Sequence, residues 1–101
     1  MQCQFSNVTM KYLEEFNRIL EKMICNMKNA KLTNSISNNF IVQMIPHHRA
    51  AIEMSCNILQ YTTDLTLQEI ASNIVAEQTK SIENMLAIQK KCCTAVNSRQ
   101  Q

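Results

Sequence analysis

Glycine is absent from all 101 residues, and Pro46 is the lone proline. At ordinary usage of about 7% Gly and 5% Pro, roughly seven of the first and five of the second would be expected. Tight hairpins, bulges and phosphate-cradling loops need positions with φ > 0 or close backbone approach, which Gly supplies most easily. Hairpin-rich sandwiches, dinucleotide-binding folds and P-loops therefore fall away together, and an all-α chain remains.

Hydrophobic periodicity then divides the chain into three helices. Over about residues 8–29, Leu13, Phe16, Leu20, Met23 and Met27 recur at alternating spacings of three and four, a narrow apolar stripe. The polar run from Asn29 to Ser35 ends it, with Asn in the helix-stopping role that Gly usually has. Ser35 or Ser37 can cap a second helix over about 37–60, whose apolar positions Phe40, Ile41, Met44, Ile45, Ile52, Ser55, Cys56 and Leu59 form one broad face. Thr66 and Glu69 offer a capping box for a third helix over about 66–97, with Asp64 an alternative cap. Its stripe runs through Leu67, Ile70, Ala71, Ile74, Val75, Gln78, Ile82, Met85, Leu86, Gln89, Cys92 and Val96.

Short connections make neighbouring helices antiparallel, so one domain over 1–101 is expected, an up-down-up bundle of three helices. Its core is thin for a domain with few aromatics, and the third helix overhangs the second by roughly 12 Å. A homo-oligomer, with a second copy completing the bundle, is the expected partner arrangement.

Charge and cysteine usage limit the partners further. Ten basic and eight acidic residues are spread along the chain for a formal charge of +2, which leaves no basic stripe for nucleic acid. No apolar run approaches the roughly twenty residues that span a bilayer, and the N-terminus has no basic segment leading into an apolar one. Neither a nucleic-acid partner nor membrane insertion is expected. The chain reads as cytoplasmic as it stands, or as a cell-envelope protein if an export signal has been removed. The five cysteines, Cys3, Cys25, Cys56, Cys92 and Cys93, form no C-x-x-C pair, and their odd number favours reduced thiols.

Chemistry concentrates in residues 40–54. Residues four apart on a helix differ by about 40° and residues seven apart by about 20°, so Met44 shares a face with His48 while Met54 shares another with His47. Pro46 removes one helical N–H just before the histidines and crowds the Val42 carbonyl, at a cost of roughly 3 kcal/mol. With the second turn centred near residue 63, His48 falls opposite Gln78, and Met44 falls near Ile82 and within a turn of Met85. With the first turn centred near residue 33, Met23 falls opposite about position 43 and could join Met44. The projected cluster is Met23, Met44, His48 and Met85 inside the bundle, with His47 and Met54 on a second, more exposed face.

Imidazole and thioether donors without a carboxylate cage suit Cu(I) or Ag(I). Zinc fits less well, since no four His and Cys ligands stand at motif spacing, and the absence of any Glu-x-x-His disfavours di-iron. Core filling by the same methionines remains open on spacing alone. Catalysis is not expected: Cys56 lies about 80° round the helix and 12 Å along it from His48, and no paired carboxylates converge.

Phe40-x-x-x-Met44-Ile45-Pro46-His47-His48-x-x-Ala51-Ile52-x-Met54 resembles the signature of the bacterial family catalogued as domain of unknown function 305. A second stretch, Ala71-x-x-Ile74-x-x-x-Gln78-x-x-Ser81-Ile82-x-x-Met85, looks like that family's second signature, and the likeness spans about residues 38–86. The resemblance implies a ferritin-like helical bundle, with Met44, His47, His48, Met54, Gln78 and Met85 as the polar and sulfur positions. Some family members are cell-envelope proteins linked to copper or silver handling. Ser81 departs from the pattern, because the family usually has an acidic residue there that could orient a histidine or take part in metal binding. The expectation is a Cu(I)- or Ag(I)-binding bundle for storage, buffering or delivery. The alternative is a structural or interaction bundle with no metal role.

Overall fold

The computed structural model describes the backbone of residues 5–100 and the side chains of residues 5–91. Expectations placed on Cys3 and on the side chains of Cys92, Cys93 and Val96 lie outside those residues. The chain is all-α, with α1 over Asn7–Lys28, α2 over Ile36–Leu59 and α3 over Leu65–Gln100.

Side-chain caps set the ends. Ser6 accepts from the Thr9 N–H at α1, and Ser35 accepts from the Asn38 N–H at α2. Asn29 stops α1 with φ at −96°, not in the left-handed region: its side-chain amide donates to the Cys25 carbonyl at 2.9 Å. At α3 the cap is Asp64 and not Thr66, with the Leu67 N–H donating to Asp64 Oδ1 at 3.0 Å. The Asp64 N–H is itself held by Thr62 Oγ1 at 3.1 Å, which fixes Asp64 outside the helix and starts α3 at Leu65, two residues earlier than a Thr66 cap would.

The helices pack in antiparallel order α1–α2–α3, and α2 alone touches both neighbours. The result is an open layer measuring 64 × 32 × 14 Å, one helix thick. Ile41 and Ile45 of α2 meet Ile82 and Met85 of α3 in the principal core cluster, with Met44 and Ile52 packed against it. Gln89 donates to Asn38 Oδ1 at 3.2 Å across the same seam. This places position n opposite about 127 minus n, within a residue of the register that the sequence implies.

The α1–α2 seam is different. Ile19, 1% exposed, fills it, and Asn57, 2% exposed, donates to the Tyr12 carbonyl at 3.1 Å. Tyr12 also packs edge-on against Tyr61, with ring centroids 6.1 Å apart. The pairs Asn57–Tyr12 and Lys22–Glu53 shift α1 by about one to two and a half turns from the register of a tight turn centred at residue 33. The connection causes the shift: it runs back along the first turn of α2, where the Thr33 N–H donates to Asn39 Oδ1 at 2.7 Å and Asn39 Nδ2 donates to the Thr33 carbonyl at 2.8 Å.

An open layer has two broad faces. On α2, Pro46, Glu53 and Asn57 point toward α1, and Ile41, Ile52 and His48 point toward α3, roughly opposite directions at 100° per residue. Val42 and Arg49 lie on one broad face; Ile36, Phe40, His47, Met54 and Ile58 lie on the other. Ion pairs decorate the first: Lys22 Nζ stands 3.0 Å and an Arg18 guanidinium nitrogen 3.5 Å from Glu53, and Arg18 also holds Glu15 at 2.6 Å. The second face is apolar. Phe40, read from the sequence as a core position, is 59% exposed there, and Ile36 is 86% exposed. The α1 stripe of Leu13, Phe16, Leu20 and Met27 is likewise only half-buried, because it points at this uncovered face while Ile19, off the stripe, enters the seam.

Candidate metal site

Helix α2 continues through Pro46. Pro46 has no N–H to give the Val42 carbonyl, and two residues later His48 adds a side-chain bond to the backbone: Nδ1 lies 3.0 Å from the Met44 carbonyl oxygen. A carbonyl can only accept, so in the neutral ring Nδ1 carries the proton and Nε2 carries the lone pair. The bond thus sets the tautomer of the neutral ring and the direction of Nε2, the kind of contact by which an orienting partner holds a histidine ligand. The His47 and His48 rings are 5.9 Å apart between centroids and inclined at 60°.

The thioethers are distributed unequally around this pair. Met44 is half-buried on the α2–α3 cluster that contains Met85, which is 8% exposed. His47 is exposed and Met54 half-buried on the apolar face, one turn and a further residue triplet along the same stripe. Met23, expected beside Met44, stands elsewhere: it lines a groove of about 540 Å³ on the charged face with Val42, Pro46 and Ala50, closed at one side by Leu86 and Gln89. The register shift in the α1–α2 seam explains this placement. Gln78 and Ser81 are half-buried on α3, and the α2–α3 register sets Gln78 across from His48 and Ser81 across from His47. The His48 Nδ1 bond goes to its own helix rather than to Gln78.

Among the described residues, no group of three or more His, Cys, Asp or Glu side chains is placed to hold a metal ion. On α2, Met44 lies one turn from His48 and Met54 two turns from His47, each on the same face as its histidine. Carboxylates cluster on the opposite face, where hydrogen bonding to Arg18 holds Glu15 below the usual carboxylate range and Glu15 in turn raises Arg18. Free thiols at Cys25 and Cys56 are exposed. Cys56, read from the sequence as part of the apolar face of the second helix, falls on the charged face at 100° per residue, while its neighbour Ser55 is buried.

The family described as Domain of unknown function (DUF305) matches residues 7–92. The chain belongs to the DUF305 family. No curated protein matches it. The match covers all of α1 and α2 and most of α3, so the histidine pair of this DUF305 chain sits near the middle of the family's span. No described helix of this DUF305 chain is long and apolar enough to cross a membrane.

Sequence spacing alone finds the shared face of Met44 and His48. It misses the Nδ1 bond to the Met44 carbonyl, for which the sequence carries no signal, since every helical residue lies four positions after a backbone carbonyl. It also misses Asn57, whose Oδ1 is buried without a hydrogen-bond partner.

Proposed function

We propose that this DUF305 protein binds a soft monovalent metal ion, Cu(I) or Ag(I), through neutral nitrogen and thioether donors at His47 and His48, and serves storage, buffering or delivery. The observation that carries the reading is the 3.0 Å bond from His48 Nδ1 to the Met44 carbonyl, which leaves Nε2 as a lone-pair donor in the neutral ring. Met44 and Met54 bring thioether sulfur to the same segment, and Met85 stands in the cluster that Met44 packs against. Gln78 and Ser81 are polar residues of α3 at the level of the histidine pair.

The test is a titration of reduced protein with Cu(I) against a chromophoric chelator, with Cys25 and Cys56 changed to Ser to remove their thiol background. Replacing both histidines with Ala is expected to abolish competition with the chelator. Undiminished binding by that variant rejects the site.

The exposed apolar face favours a second reading, a structural bundle that associates with another copy without metal. Association that is independent of both metal and histidines would support it over the first.

A further inference from the structure

The apolar face carries a pattern that the metal reading does not use. Along α2, Ile36, Phe40, Gln43, His47, Ala51, Met54 and Ile58 fall on one line, and their spacings are the same in both directions from His47: four, seven and eleven residues. His47 also stands at the middle of α2, which runs from Ile36 to Leu59. A two-fold axis across that point would set Phe40 against Met54 and Ile36 against Ile58 of a second chain, apolar against apolar at every outer position.

Charge and area fit the same partner. Arg49 and Glu53, the two charged residues of α2, lie at least about 100° from the line, and the seven charged residues of α1 keep off the stripe of Leu13, Phe16, Leu20 and Met27. A face without charges cannot select a charged partner, but it is complementary to itself. The layer is 32 Å wide across three helices and α2 is about 36 Å long, so the α1–α2 share of the face is roughly 770 Å², close to the roughly 800 Å² per partner of a standard interface. Two α1–α2 hairpins stacked in this way form a four-helix bundle.

We propose that the apolar face docks on the same face of a second copy of this chain, about a two-fold axis across the middle of α2, and that the two His47 imidazoles meet there as shared ligands of the soft metal. The shared site rests on the reading of the histidines as metal donors; the docking does not.

Sedimentation equilibrium of the full chain, metal-free and reduced at micromolar concentration, tests the docking. The expected mass is twice the 11.6 kDa of one chain. Phe40→Glu, at a position 59% exposed within one chain, is expected to halve that mass with helical circular dichroism unchanged. A single-chain mass for the unsubstituted protein, with and without Ag(I), overturns the proposal, as does a dimer that Phe40→Glu leaves intact. Ag(I) titration of the chain with its five cysteines changed to Ser then reads the site. One ion per two chains, lost in His47→Ala while the dimer persists, supports sharing. One ion per chain overturns sharing and leaves the metal reading standing, whereas a Phe40-sensitive dimer that takes up no Ag(I) overturns both and leaves only the docking. Sizing needs no cysteine substitution, so it decides even if the cysteine-free chain does not fold.

Discussion

On one broad face of the layer, Glu53 receives Lys22 and Arg18 across the α1–α2 seam; on the other, Phe40, His47 and Met54 share a line with no charged residue. The same three helices build both. The difference arises because a helix in an open layer is buried by its neighbours along two narrow seams only, while its amphipathic stripe is wider than a seam. The surplus apolar surface of α1 and α2 is gathered on one side, and His47 lies within it. Scattered exposed hydrophobic residues are ordinary, but a continuous apolar face is the mark of a binding surface.

The sharpest way to break this comparison is to change one residue of each kind. Replacing His47 and His48 together with Ala is expected to weaken Cu(I) binding by more than the roughly 10–100-fold typical of losing an orienting partner, while Arg49→Ala on the charged face leaves it unchanged, as competition with a chelator will show. Ile19→Ala should cost about 2–5 kcal/mol of unfolding free energy by urea denaturation, because Ile19 fills the α1–α2 seam at 1% exposure.

A smaller effect is expected on the charged face. Glu53→Gln removes the acceptor of two exposed cations and should cost about 0.2–1 kcal/mol, decreasing with added salt in the same denaturation experiment. Smallest of all is the contribution of Glu15. Its folded pKa is depressed by Arg18, so its stabilisation is present at neutral pH and is lost as pH falls through that lowered value. The melting temperatures of wild type and Glu15→Gln should therefore differ slightly at neutral pH and converge in acid.

Much of the helical layout is legible in the sequence, and the failures have local causes. The α2–α3 register follows from a short turn that Asp64 and Thr62 hold tightly. The α1–α2 register does not, because the Thr33–Asn39 bonds draw a longer connection back along α2, which no hydrophobic pattern reports. Met23 is displaced with it. The stripe of α1 was visible as a stripe, but periodicity gives only its direction on the helix and says nothing of what covers it; Leu13, Phe16 and Leu20 accordingly read as core and are half-buried. At the candidate site, the separation of His47 from His48 follows from 100° per residue, whereas the tautomer of His48 depends on a bond to the backbone that spacing cannot show.

The central claim is that His47 and His48 present imidazole nitrogen, with thioether sulfur nearby, to a soft metal. X-ray absorption at the copper edge of the Cu(I)-loaded chain, with all five cysteines changed to Ser, tests it most directly. A mixed shell of nitrogen and sulfur scatterers is expected, with the nitrogen part disappearing in the double His→Ala variant. A loaded protein with no nitrogen shell, or one whose nitrogen shell survives that substitution, would contradict it.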